Sequence, residues 1–197
     1  KATCTPSNIS EEDAREYTQW LSRREYKEIT FNNDVFTDVY YNVQINIEKI
    51  EVGTRIVGFQ LTCTSDSSYA HSEIKTFNTV LDANTDVNFN YNSDMDYPYY
   101  PDVEIKCLSS GTLEIENKFE ERITQIKNCV ANEVIKMKDN TFISSSIQSH
   151  DADIMEDFNF HFLRLGSKYK DNRNTLRSNM NCEITIKYRI MKKVVVI

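Results

Sequence analysis

Glycine and proline are scarce in this chain, at 4 and 3 of 197 residues. That leaves no glycine-rich loop to cradle a phosphate and no proline-rich linker. GxSxG and HExxH are absent, and no two cysteines stand in CxxC spacing, so nucleophile-elbow, zincin and zinc-ribbon chemistry lack their motifs. No apolar run approaches the ~20 residues that span a bilayer. Cations are outnumbered, 23 against 30 acids, for a net charge of −7 and a pI near 5.1. Nucleic acid is therefore a poor partner, because phosphate binding needs concentrated positive charge. An acidic surface suits basic proteins, or serves solubility alone. There is no internal repeat and no low-complexity segment.

What the chain does have is alternation. Val39, Tyr41, Val43, Ile45 and Ile47 fall on one parity; Tyr40, Asn42, Gln44, Asn46 and Glu48 fall on the other. This predicts a strand with one dry and one wet face, around which the rest is organised. Burying five such side chains is worth about 1.5–3 kcal/mol each before conformational entropy. The same period marks Val57–Cys63, Val87–Tyr91, Val103–Cys107, Val134–Lys138, Phe142–Ile147, Phe158–Phe162 and Cys182–Ile190. Ser10 caps the acids Glu11, Glu12 and Asp13, and Ala14, Tyr17 and Leu21 follow at helical spacing, which predicts a helix from Glu11 to about Glu25. Phe119, Ile123, Ile126 and Val130 recur at i, i+4, i+7 and i+11, which predicts a second helix over Lys118–Cys129. Ser149–Asp157 and Gly166–Asn181 read as polar connections. The sum is an all-β fold: a two-sheet antiparallel β-sandwich, with one N-terminal and one mid-chain helix packed outside. One domain over residues 1–197 is expected, with its helical extension at about 10–26.

Chemistry is sparse. His161 sits between Phe160 and Phe162 as a strand-face residue. His150 precedes Asp151, Asp153 and Glu156, but without the fixed spacing of a calcium loop, so no metal is assigned. No nucleophile–base pair stands out, no catalytic residue is assigned, and the chain is not expected to be an enzyme. His71, in the loop-like Ser67–Ser72, is the candidate pH-sensing residue, since histidine changes charge near pH 6.5. From Thr76 to Ile105 there are six acids and no Lys or Arg. Tyrosines interleave with them, and tyrosine supplies rigid contact area while acids steer a basic partner. The partner-binding candidates are Tyr91, Asp94, Asp96, Tyr97, Tyr99 and Tyr100; the alternative is an acidic loop whose tyrosines pack back on the sandwich. The five cysteines, Cys4, Cys63, Cys107, Cys129 and Cys182, are widely spaced. They fit long-range disulfides in an oxidising compartment, with one left over, or buried thiols. Asn8, in Asn8-Ile9-Ser10, is the one glycosylation sequon. Starting at Lys1 with no apolar leader, the chain reads as one whose signal peptide has been removed.

Four stretches carry a family resemblance over Asp38 to Ile190. They are Tyr40–Ile47; Leu108-Ser109-Ser110-Gly111 leading into an acidic helix start; Glu120–Cys129 as a helix ending in cysteine; and the Cys182-led strand to Ile190. Together they resemble the poxvirus immune evasion domain superfamily of secreted β-sandwich proteins. The resemblance departs at Lys136-Met137-Lys138, where members carry a further cysteine, and in the added N-terminal helix. It implies stoichiometric binding without a cofactor. The modest charge favours the branch that binds the MHC class I heavy chain with β2-microglobulin and retains it in the endoplasmic reticulum, blocking antigen presentation. The alternative is a secreted chemokine- or cytokine-binding decoy. The retained branch uses a KDEL-like signal, and Val194–Ile197 does not supply one.

Overall fold

The computed structural model describes residues 2–4, 9–30, 38–167 and 173–193. The expected class holds: the chain is strand-dominated, its sheets are antiparallel, and it carries one N-terminal and one mid-chain helix. Where the sequence reading drew one domain, the chain divides near Ser72. A first unit has its described residues within Lys1–His71, and a second spans Ser72–Lys193.

In the first unit, β1 (Ala2–Cys4), β2 (Lys27–Ile29), β3 (Tyr41–Val52) and β4 (Arg55–Ser65) form one sheet in the order β1-β4-β3-β2. β3 is the alternating stretch that reads as the organising strand. Gly53, at φ +65°, makes the tight turn that folds β4 back so that Val52 faces Arg55. Helix α1 (Glu11–Leu21) starts as expected: Ser10 and Asp13 form a reciprocal capping box, which holds the Asp13 carboxyl below its ordinary value. It ends four residues before the expected Glu25. Ala14 is buried with Ile56 and Phe59, and Tyr17 sets its ring edge-on to Phe59 at 5.8 Å. This core is small. On β3 only Val43 is buried, so the strand does not organise the main core. β5 (Ala70–His71) closes the unit, bridged to Tyr40.

The main core lies in the second unit. One sheet runs β12-β11-β8-β14-β6, from β12 (Phe142–Ser145), β11 (Val134–Lys138), β8 (Asp102–Cys107), β14 (Cys182–Tyr188) and β6 (Lys75–Leu81). The other runs β10-β9-β13-β7, from β10 (Arg122–Cys129), β9 (Gly111–Asn117), β13 (Arg173–Ser178) and β7 (Asp86–Asn90). β15 (Met191–Lys192) follows β14. Inward residues of both sheets, among them Ile105, Ile135, Ile184, Leu113, Ile126 and Leu176, share one buried cluster, as a sandwich requires. On the outer face of the five-stranded sheet, opposite charges stand across strands. Lys136 faces Glu104 at 3.5 Å and Lys106 faces Glu183 at 3.6 Å. Exposed pairs of this kind are worth about 0.2–1 kcal/mol each, and they keep the face wet.

Four expectations are corrected here. Lys118–Cys129 is not a helix. It is a turn through Glu121 (φ +53°) and then β10, which pairs with β9, so that Thr124 and Ile126 point inward and Ile123 outward. A register shift between Ile126 and Cys129, with Asn128 at φ +56°, returns Cys129 to the core. The mid-chain helix is α2 (Gln148–Asp157), in the stretch expected to be a connection; it packs on β10 and β12 with Ile154 buried. Phe158–Phe162 is not a strand: Phe160 sits at φ +58°, and Phe158 and Phe162 turn in while Phe160 stays out. Part of the expected connection Gly166–Asn181 is β13.

Candidate functional site

The tyrosine–acid segment is largely an internal clasp. Tyr91 is fully buried, stacked on Tyr99 at 5.6 Å and edge-on to Tyr188 at 5.9 Å. Its hydroxyl donates to the Arg189 carbonyl at 3.1 Å, and the Tyr99 hydroxyl accepts from the Arg189 amide at 3.2 Å. Burial raises both phenols above their ordinary range. Tyr99 also exchanges backbone hydrogen bonds with Leu165, and the Tyr100 hydroxyl accepts from Arg164 at 3.4 Å. Asp94 takes the Lys193 amide at 3.1 Å, and Asp96 pairs with the Lys193 ammonium at 2.5 Å. Among the tyrosines of this segment only Tyr97 is more than half exposed, at 55%. The geometry is that of tyrosines packing back onto the sandwich.

His71 is not in an exposed loop. It is buried in the first unit, with Nε2 3.6 Å from Glu28 and its backbone paired to Tyr40 at 2.8 and 2.9 Å. The tyrosine segment belongs to the second unit.

Sequence reasoning missed the most concentrated polar cluster. Glu133, fully buried between β10 and β11, accepts from the Val130 amide at 2.8 Å and from the Ser145 hydroxyl. His150 of α2 sets Nδ1 2.5 Å from the same carboxylate, and its Nε2 lies 3.5 Å from Asp157. Asp157 is held by the Asn128 amide at 2.9 Å. The array joins α2 to the sheets. Both oxygens of Glu133 are engaged, by the Val130 amide on one side and by Ser145 and His150 on the other. Of the acids beside His150, Asp151 caps the Ser145 amide at 2.7 Å, while Asp153 and Glu156 are exposed. Among the described residues no group of three or more His, Cys, Asp or Glu could hold a metal ion.

The disulfide candidates are thiols: Cys63 is exposed and Cys107, Cys129 and Cys182 are buried. Contact with the Cys129 thiol, then burial, pushes the Cys107 thiol far above its ordinary value, and burial raises Cys182. The side chain of Cys4, and Asn8, lie outside the described residues.

Comparison with known proteins overturns the expected family. A family model described as phage tail protein N-terminal domain matches residues 4–67, and one described as phage tail C-terminal domain matches residues 69–188. Among curated proteins nothing matches. The crystal structure of SPP1 Dit (gp 19.1) protein, titled a paradigm of hub adsorption apparatus in Gram-positive infecting phages, has a TM-score of 0.64. It is 11% identical and covers 95% of this chain and 76% of that one, so the likeness is one of fold. The poxvirus resemblance is therefore wrong. With it fall MHC class I and chemokine partners, the immune-evasion role, and the endoplasmic reticulum or secreted location. The structure shows why it failed: Glu120–Cys129 matched as a helix ending in cysteine, and the stretch after Gly111 matched as an acidic helix start, yet both are strands.

Proposed function

The chain belongs to the phage tail protein family whose N- and C-terminal domains it carries in order, and on that premise we propose that it is a structural subunit of a phage tail, hub-like in its role, that acts by assembling with other tail proteins. One observation carries this reading. The two tail-domain matches, 4–67 and 69–188, meet beside the boundary between the two units, so each unit is a tail domain in its own right. The fold likeness to SPP1 Dit supports the hub role in particular. Exposed aromatics offer anchors for neighbours: Trp20 at 67% and Tyr26 at 48% in the first unit, Tyr97 at 55% and Phe142 at 54% in the second. On this reading the partners are proteins of the same particle, bound without catalysis, and Tyr97 with Asp96 is what the tyrosine–acid segment offers to them.

The test is genetic. A suppressible stop codon in the gene should give particles without complete tails in a non-suppressing host, and a plasmid copy should restore them. Intact, infective tails formed without the chain would overturn the reading.

A further inference from the structure

The sandwich of the second unit is closed on one side only. Helix α2 packs on β10 and β12, the strands that end the two sheets there. The other side ends in β6 and β7, and among the described residues no further strand pairs with either. Edge strands are normally protected by charge, proline, a bulge or shortness. β7 is five residues long and carries Asp86, paired with Lys118 at 2.6 Å. β6 has no such protection. It runs seven residues in unbroken register with β14, and after Lys75 it is neutral: Thr76, Phe77, Asn78, Thr79, Val80 and Leu81. Thr76, Asn78 and Val80 are exposed, Val80 at 49%.

Backbone parity shows what this edge presents. The Leu108 amide donates to the Asn181 carbonyl across β8 and β14 at 3.0 Å. Alternate residues of an antiparallel strand bond to alternate sides, so Cys182 turns its backbone groups to β6, where it meets Leu81. By the same parity Thr79, Phe77 and Lys75 bond β14, and Thr76, Asn78 and Val80 turn their N–H and C=O groups away from it. These three residues are symmetric about Asn78. A second copy related by a two-fold axis through Asn78 sets Thr76 opposite Val80, Phe77 opposite Thr79 and Asn78 opposite Asn78. Every outward group then has a partner, and side chains of one face stay on one face of the joined sheet. The ends match in charge. β6 begins at Lys75 and is followed by the exposed Asp82, so each end brings the lysine of one copy beside the aspartate of the other, while Glu73 falls opposite Ala83. Closed two-fold pairs are the commonest way a chain associates with itself. We propose that β6 pairs edge to edge with β6 of a second copy of this chain, joining two second units through one continuous sheet.

The test uses the full-length chain carrying Cys63→Ser and Asn78→Cys, oxidised with copper phenanthroline. The expected product is a dimer linked through position 78, identified by peptide mass spectrometry. It should form at least tenfold faster than the dimer of a matched Asn90→Cys chain, whose substitution is also exposed but lies on β7. Adding Val80→Lys, a surface change that sets a cation near Lys75 of the other copy, should slow the link through position 78 tenfold or more and leave the thermal midpoint in place. In the parent, amide exchange at Thr76, Asn78 and Val80 should slow as the chain is concentrated. The proposal is overturned if Asn78→Cys links no faster than Asn90→Cys, if Val80→Lys leaves the rate unchanged, or if the three amides exchange alike in dilute and concentrated solution. Tail assembly is a separate readout, so failure here leaves the structural role standing.

Discussion

Replacing Glu133 by alanine should be among the most damaging single changes in the second unit. Its carboxylate is fully buried and takes hydrogen bonds from the Val130 amide, the Ser145 hydroxyl and His150. Removal leaves three groups without their acceptor, the buried His150 among them, and strands that histidine beside Asp157. Breaking a buried hydrogen-bonded pair from one side costs about 3–5 kcal/mol. For a chain of this length each kcal/mol moves the thermal midpoint by roughly 2–4 °C, so a fall of about 6–20 °C is expected. Glu133→Gln keeps the shape and one acceptor oxygen and loses the charge-assisted part, about 1.5–3 kcal/mol. The damage should begin in α2. That helix has no side-chain N-cap bond and docks through His150 and Ile154, so hydrogen exchange should rise there first. Urea unfolding of Glu133→Ala, His150→Ala and the double variant is the assay. The singles should couple by about 1–3 kcal/mol. A loss under about 1 kcal/mol for Glu133→Ala, or strictly additive singles, would refute a load shared through this contact.

Other outcomes follow from the same coordinates. Iodoacetamide should label Cys63 in the native chain and leave Cys107, Cys129 and Cys182 unlabelled until urea unfolds it, read by peptide mass spectrometry; rapid native labelling of Cys107 would contradict its buried, protonated state. Gly166→Ala should cost about 1–3 kcal/mol, because the new Cβ would overlap the Phe119 ring, and Phe119→Ala in the same chain should recover part of that loss; an unaffected midpoint would show the contact to be slack. The phenols of Tyr91, Tyr99 and Tyr188 are raised by burial, so they stabilise the fold while neutral. Their contribution is whole below the unfolded value near 10 and is lost as pH rises through the higher folded values. Absorbance at 295 nm should show these tyrosines ionising only as the chain unfolds in alkali; their titration at pH 10 with the fold intact would refute their burial.

Strands with one dry and one wet face were legible. In Val103–Cys107, Val134–Lys138 and Cys182–Tyr188 the parity of the sequence is the parity of burial. Lys118–Cys129 was not, because Ile123 and Ile126, three apart, satisfy a helix as well as opposite faces of a strand. Only the pairing with β9 decides, and it puts polar Thr124 inside and Ile123 outside. Leu113 and Ile115 alternate with Glu114 and Glu116 in plain view, but the acids read as a helix start. Phe158, Phe160 and Phe162 imitate a strand; the left-handed backbone at Phe160 breaks the alternation, and no residue-type signal announces it. α2 is mostly polar, and what holds it is a carboxylate seventeen residues away in the chain, at Glu133, which no local window relates to His150. The tyrosines were rightly singled out as unusual, but whether they face a partner or one another depends on the 189–193 segment that meets them about a hundred residues later. Function was the least legible: the family resemblance rested on Glu120–Cys129 and the stretch after Gly111 read as helical, and both are strands.

The account stands on this chain being a built-in part of the tail. Cryo-electron microscopy of the intact virion, with quantitative mass spectrometry of the same particles, tests that most directly. It predicts the chain at fixed stoichiometry and tail density into which both the helix-backed four-stranded sheet and the two-sheet sandwich fit. A chain absent from purified virions, or present only in the lysate of infected cells, would contradict it.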